Sequence, residues 1–496
     1  MTLDREPVVW GDDVTYASTA RALQTDRSGI PTILRDSPTA VDHIAFYGPV
    51  FFRVAATSFD LFGFSIRAFR AVSLASVLLV AGAGAAMVVA LGGGGHQRWW
   101  AWTLLLMTPE LGTAATNGRM DALAVGLELL GLATFVRGLR AERAPVAHGV
   151  CGGVFLAAAA LTTPRALPFT AAFLLVGVVL WFVGDRRRGA WLQYACAATV
   201  VVAALCGWAT VSHGSPLQWL RDLTFIGAHE DADVALAAHA REWAFRLWRA
   251  VTPAAAAIGA AAWLASRRAS ALGRADLVAS TVALVVCLVT LALTMTAFNG
   301  TFLFGTYFAV PLLAVVIALP WSHAGVTPRR VAILLTGLLL VNASIRMGKY
   351  VRVAATWAAR DPHAIDAFVR RHVPPGSTVI GPQHLFFFAV EGAGAHFRQA
   401  SPDSWADWTR WVTRVDPGVR GQLDRRDATA ARFFLWPADE GRHPIPPEWA
   451  CARAEAVATF EPAASHEGAL GVLRFEEGVP FGYPRSVLYR LPATCP

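Results

Sequence analysis

The sequence predicts a polytopic α-helical membrane protein of about ten spans, with juxtamembrane helices on its outer face and a small C-terminal α/β domain outside the membrane. Three observations predict this class. Of 496 residues, 55% are hydrophobic and only 16% charged, with a mean hydropathy of +0.44; soluble proteins carry about 25% charge. Apolar runs of about 16–24 residues recur through the first two thirds of the chain, the length that crosses about 30 Å of hydrocarbon. The formal charge of +8 lies entirely in residues 1–349, with 27 basic and 19 acidic residues, whereas residues 350–496 hold 16 of each. A soluble enzyme is excluded by the first observation. A nucleic-acid partner is excluded by the last, because the surplus sits in the hydrophobic part as a topology signal.

Residues 1–65 are polar and mixed, with no basic stretch leading into an apolar run, so they are not a signal peptide. A helix is expected over Tyr16 to Leu23. Phe46 to Gly63 is aromatic and amphipathic, interrupted by Arg53 and Asp60, and suits a helix lying in the interface. Spans are read at 66–91, 99–116, 120–138, 146–162, 166–184, 190–211, 248–266, 276–297, 301–321 and 329–346. Alternate turns hold Arg98, Arg137, Arg140, Arg143, Arg186 to Arg188, Arg267, Arg268, Arg274, Arg329 and Arg330; the opposite short turns hold only Arg119 and Arg165. The arginine-rich side is therefore cytoplasmic. Residues 1–65, the loop 212–247 and residues 350–496 then lie outside, and a polar N-terminus placed there is expected to follow a further span upstream of Met1, the alternative being a span count that differs by one. Gly92 to Gly95 lacks the Lys and Ser/Thr of a phosphate loop and reads as a flexible turn.

The division is thus an outer segment 1–65, a transmembrane helical domain 66–346 and an extracytoplasmic α/β domain 350–496. Within the last, Asp361 to His372 has the spacing of an amphipathic helix, with Ile365, Phe368 and Val369 on one face. Thr378 to Ile380, Ala431 to Leu435 and Val487 to Leu491 read as strands. Cys151, Cys196, Cys206 and Cys287 fall in apolar stretches; Cys451 and Cys495 fall in the outer domain, where a disulfide between them is open. The cysteines form no metal-binding spacing, and His229-Glu230-Asp231-Ala232-Asp233 is crowded in one step like a solvated acidic loop; no metal site is expected.

The informative charges are those that break the orientation rule. Asp12 and Asp13 stand between Trp10 and Tyr16 and serve either as the acidic first turn of a helix or as a general base with a supporting carboxylate. Arg67 and Arg70 open the first span at its outer end, where an anionic headgroup or lipid phosphate is the natural partner. Arg119 precedes Asp121 at an outer turn, with Glu110 in the span before and Glu128 seven residues on, on the same helical face. Arg119 either pairs with Asp121 or Glu110, or contacts a phosphate or sugar. Arg165 stands alone in the next outer turn. Together these place two carboxylates and several arginines on one membrane face, the makings of a site for a lipid-linked phosphate substrate.

These residues resemble a family. Asp12-Asp13 with Tyr16 is similar to the Asp-Glu…Tyr motif in the first outer loop of GT-C glycosyltransferases of the protein O-mannosyltransferase and aminoarabinose-transferase type, including RgtA/B/C/D-like members. Tyr47-Gly48-Pro49, then Leu61-Phe62-Gly63-Phe64-Ser65, Arg67 and Arg70, resemble its aromatic-Pro-Pro, Phe-Gly-x-Ser and Arg. Gly118-Arg119-Met120-Asp121-Ala122 is similar to its Arg-x-Asp, and Thr163-Pro164-Arg165 to its Thr-Lys-Gly-Pro turn. Asp13 stands where the family has Glu, Gly48 where it has Pro, and Thr306 where it often has Arg before the Tyr.

The resemblance implies inverting transfer of a hexose or pentose from a polyprenyl-phosphate donor to a lipid, glycan or protein acceptor outside the cytoplasmic (inner) membrane. Asp12 takes the place of the catalytic carboxylate and Asp13 that of the motif's Glu. Tyr16, His43, Tyr47, Arg67, Arg70, Arg119, Asp121 and Arg165 are the substrate-binding candidates. No cofactor is expected beyond the donor itself. A transporter or flippase for a lipid-linked glycan is the alternative; it predicts charges deep in several spans and internal repeats. Only Glu110, Asp121 and Glu128 meet the first condition, and no repeat is seen.

Overall fold

The computed structural model describes residues 3–5, 11–34, 42–141, 143–183, 187–230, 252, 255–261, 263, 273–297, 302–321, 328–381, 384–399, 433–437, 454–463 and 483–491. Three short helices precede the membrane part: α1 (Gly11–Thr25), α2 (His43–Tyr47) and α3 (Val50–Phe62). α1 begins before the expected Tyr16, so Asp12 and Asp13 lie inside its first turn, where carboxylates complement the helix dipole. The single interfacial helix expected over 46–63 is broken. Gly48 adopts φ +100°, and its missing side chain lets the chain pass against the Leu161 carbonyl, which accepts from the Val50 amide at 3.2 Å. α3 buries Phe51, Phe52, Ala55 and Phe59 and leaves Leu61 and Phe62 exposed, as a helix at a lipid surface would.

The helical body follows as α4 (Ile66–Ala90), α5 (Gly95–Met107), α6 (Pro109–Ala114), α7 (Asp121–Ala141), α8 (Pro145–Ala160), α9 (Leu167–Leu174), α10 (Val176–Phe182), α11 (Arg188–His213), α12 (Pro216–Glu230), α13 (Arg274–Ala297), α14 (Phe302–Ala318) and α15 (Pro328–Ala355). Among the described residues five helices are long and apolar enough to cross a membrane: Ile66–Ala90, Asp121–Ala141, Pro164–Phe182, Arg188–His213 and Arg274–Leu293. The protein is a multi-pass membrane protein. The run expected at 99–116 divides at Thr108, whose ψ of 136° precedes Pro109; proline supplies no amide to continue the ladder. The last helix runs past the expected residue 346 to Ala355. The 248–266 span falls largely outside the described residues. One apolar core joins α4, α5, α7, α8, α13 and α14.

Beyond α15 lie α16 (Pro362–His372), in the place expected from sequence and capped by Asp361, and α17 (Phe387–Gly392). Five strands form one sheet: β1 (Thr378–Gly381), β2 (His396–Gln399), β3 (Phe433–Pro437), β4 (Glu455–Phe460) and β5 (Ser486–Arg490), in the order β2-β1-β3-β5-β4. β1 runs parallel to both β2 and β3, whereas β5 is antiparallel to β3 and β4. β2 and β4 were not expected from sequence; β4 carries the weak alternation of Glu-Ala-Val-Ala-Thr-Phe. A second core runs from α1, α3 and the head of α4 into α16, α17, β1, β2, β3 and β5, so the N-terminal and C-terminal polar parts share their apolar interior. Cys451, Cys495 and residues 231–233 lie outside the described residues, as do the side chains of His229 and Glu230.

Candidate functional site

Five pieces of chain meet at one end of the helical body: α1, α2, the head of α4, the turn before α7 and the turn before α9. Asp13 of α1 and Arg70 of α4 are both wholly buried. Arg70 donates through Nη2 to Asp13 Oδ2 at 2.5 Å and through Nε to Oδ1 at 3.5 Å. Its Nη1 donates to the Leu3 carbonyl at 3.0 Å. Arg70 therefore presents no surface to a ligand. Instead of facing a lipid phosphate, it is the internal counter-ion of Asp13, because a buried carboxylate needs a charge beside it.

Gly118 brings the next turn onto this pair. Its φ is +60°, and a side chain there would overlap Asp13 Oδ1 and the Phe69 ring. Ser73 Oγ donates to the Arg119 carbonyl at 3.4 Å, holding the turn against α4. Arg119 Nε donates to Asp121 Oδ2 at 2.8 Å, which is the Asp121 partner foreseen from sequence. Glu110, the other foreseen partner, accepts from Thr252 Oγ1 at 3.0 Å. Arg165 Nη1 approaches the second oxygen of Asp121 at 3.7 Å, with the Arg165 side chain 16% exposed. Thr163 caps this turn through the Arg165 amide at 3.4 Å. Two guanidiniums thus flank one carboxylate beside the first turn of α1.

Aromatic rings form the adjoining wall. Tyr16 meets Tyr47 edge-on at 5.5 Å between ring centres and packs on Phe51 and Phe52. His43 lies edge-on to Tyr47 at 5.9 Å and shares a 3.2 Å hydrogen bond with Thr19 Oγ1. Burial lowers the His43 pKa to about 4, so the imidazole is neutral near pH 7. Tyr16 and Tyr47 both lie close enough to Arg165 to interact with its charge. Asp12 occupies the second position of α1, next to Asp13; its side chain lies outside the described residues.

Arg67 does not join the cluster. Its side chain is 60% exposed, donates to Asp4 Oδ2 at 2.5 Å and lies 3.2 Å from His363 Nε2, on the side of the C-terminal domain. Two contacts had no signal in sequence. His213, at the end of α11, bonds the Ala45 carbonyl at 3.0 Å and Asp222 at 2.9 Å, and Leu3 reaches Arg70 from the far N-terminus. The His213–Ala45 and Arg70–Leu3 bonds join residues more than 60 positions apart. Among the described residues no group of three or more acidic, Cys or His side chains is placed to hold a metal ion.

No known family profile matches the sequence, and no curated protein matches it. Solved structures do. The chain is similar to ArnT from Cupriavidus metallidurans bound to undecaprenyl phosphate, with a TM-score of 0.59 at 14% identity, covering 100% of this chain and 96% of ArnT. It is also similar to a mutant of the arabinofuranosyltransferase AftD from Mycobacteria, with a TM-score of 0.51 at 17% identity, covering 99% of this chain but 40% of AftD. The chain therefore has a GT-C-like fold, in agreement with the resemblance carried by its motifs.

Proposed function

We propose that the protein is an inverting glycosyltransferase of the GT-C type, moving a sugar from a polyprenyl-phosphate donor to an acceptor on the extracytoplasmic side of the membrane. The observation that carries this reading is the packing of the Asp12–Asp13 turn against the Arg119–Asp121–Arg165 cluster, with Gly118 as the contact point. The likeness to ArnT, a protein solved with undecaprenyl phosphate, supports the donor class.

The chemistry divides between the two groups. The Asp12 carboxylate takes the proton of an acceptor hydroxyl as that oxygen attacks the anomeric carbon from the face opposite the phosphate. The bond from that carbon to the phosphate oxygen breaks, and polyprenyl phosphate leaves with the electron pair. Arg119 and Arg165 stabilise the charge that develops on it, the role for which fixed guanidiniums are most effective. Proton transfer late in the step contributes about 10²–10⁴-fold. Asp13, paired with Arg70, anchors the first turn that carries Asp12. Tyr16, His43 and Tyr47 line the sugar.

Asp12→Asn tests the reading in a sugar-transfer assay on purified protein, with folding checked by thermal denaturation. Transfer falls at least 10²-fold with donor binding retained. Transfer at the parent rate overturns the catalytic assignment. Movement of the lipid-linked sugar across proteoliposomes without transfer identifies a flippase instead.

A further inference from the structure

Residues 3–5 bond to the head of α4 on one side and to the segment between α15 and α16 on the other. On one side the Leu3 carbonyl accepts from Arg70 Nη1 at 3.0 Å, and Arg70 in turn holds both oxygens of Asp13. Asp4, itself buried, accepts from Arg67 three residues before Arg70 on α4. On the other side Arg5 grips the segment between α15 and α16. Its Nη1 donates to the Trp357 carbonyl at 3.0 Å, its Nη2 pairs with Asp361 Oδ1 at 3.1 Å, and its guanidinium lies 4.6 Å from the centre of the Trp357 ring. The Arg5 carbonyl accepts from Arg360 at 3.2 Å, and the buried Arg360 is held by Thr356 at 2.6 Å. Ala359, next to Arg360, accepts the Tyr483 amide at 3.0 Å and so fastens this segment to the approach of β5.

The cavity beside this link, of about 110 Å³, is lined by Asp4, Arg67, His363, Asp366, Arg370 and apolar side chains including Phe64 and Phe388. Its charges are two carboxylates against two guanidiniums, and Arg67 is already bound to Asp4 and His363. The cavity is therefore the seam of the link.

We propose that residues 3–5 are a brace through which the C-terminal domain positions the Asp13 carboxylate, with Arg5 and Asp361 as positioning residues. This rests on the reading of the Asp12–Asp13 turn as part of the transfer site. The physical reason is the economy of donors on Arg70. One guanidinium is divided between Asp13 and Leu3, so displacement of Leu3 turns the guanidinium plane and carries the carboxylate with it. Bidentate pairing makes the two rotations inseparable. The N-terminal turn of α1, and Asp12 with it, moves in consequence. Misplacement by about 1 Å costs roughly 10²-fold in rate. A shift of the C-terminal domain is thereby transmitted to the reacting end of the molecule over a run of four side chains.

The test uses the full chain in detergent, with Arg5→Ala and Asp361→Asn. The second keeps the side-chain oxygen that caps α16 at 3.1 Å from the His363 amide while removing the charge that pairs with Arg5. Glu461→Gln, which breaks an exposed pair with Arg485, serves as control. Hydrogen exchange of the α1 amides is the primary readout and needs no activity. Both brace variants raise exchange in α1 by about tenfold or more and the control leaves it unchanged. In the transfer assay both lower kcat tenfold to a hundredfold with the donor KM within about twofold. Unchanged exchange in α1 in both variants overturns the brace. Raised exchange in a protein that shows no transfer even in its parent form retains the brace and overturns the proposed activity. Parallel losses in the control and the brace variants, or a rise in exchange throughout the molecule, assign the contacts to global stability and overturn the positioning role.

Discussion

Replacing Asp13 with Asn leaves the shape of the α1–α4 contact and removes its negative charge. The magnitude follows from the burial of the pair. Both side chains are wholly inaccessible, and the bond from Arg70 Nη2 to Asp13 Oδ2 measures 2.5 Å. Removing one partner of such a pair costs about 3–5 kcal/mol, because the remaining ion keeps its desolvation penalty without its counter-charge. Asn retains one acceptor and Arg70 retains Leu3, which puts the expected loss at the lower end, about 3 kcal/mol. For 496 residues, extrapolating the inverse dependence of the Tm shift on size gives about 1–2 °C per kcal/mol, hence a fall of about 3–6 °C. The assay is thermal unfolding of the purified protein in detergent, repeated on Arg70→Met and on the double variant. The double variant loses less than the sum of the singles, by about 1–3 kcal/mol, since no unpaired ion remains. A Tm for Asp13→Asn within about 1 °C of the parent, or strict additivity in the double variant, refutes the argument that burial of this pair holds α1 to α4.

Two further outcomes follow from the same end of the molecule. Burial lowers the pKa of His43 from 6.5 to about 4, so between these values the unfolded chain binds a proton that the folded one does not. Stability is therefore full above pH 6.5 and declines by about 3 kcal/mol as pH falls to 4; His43→Phe flattens this slope in unfolding measured across pH, and a slope unchanged in that variant contradicts the assignment. Gly48→Ala forces a side chain to φ +100° and against the Leu161 carbonyl. The strain costs about 1–3 kcal/mol and parts the α2–α3 corner from the turn before α9. Transfer falls together with Tm, whereas Gly214→Ala, at φ +76° with no atom near the added carbon, loses only the backbone term.

Part of this was legible in the residues because it obeys local rules. Helix α16 carries its cap at Asp361 and its apolar face at Ile365 and Val369, and it formed where the spacing placed it. Arg119 and Asp121 stand two residues apart, and no long-range folding was needed to pair them. The break at Thr108 also had a visible cause, Pro109, although the hydropathy of the run concealed it. The fate of Arg70 was not legible. Its position at the outer end of a span is equally compatible with a phosphate outside and a carboxylate inside, and only the docking of α1 on α4 decided for Asp13. β2 and β4 escaped because His-Phe-Arg-Gln and Glu-Ala-Val-Ala-Thr-Phe lack a run of large apolar residues such as Phe-Phe-Leu-Trp in β3.

By itself the sequence determined the membrane class, most helix positions and the gathering of unusual charges on one set of turns, because span length, hydropathy and charge asymmetry are properties of neighbouring residues. The tertiary structure decided which partner each of those charges meets. Arg70 closes on Asp13, Arg67 turns to Asp4 and His363, and Arg119 with Arg165 encloses Asp121. It also placed Leu3 to Arg5 between α4 and the C-terminal domain. Such choices depend on which surfaces meet when the helices pack, and the energy of a charge is set by what surrounds it in space.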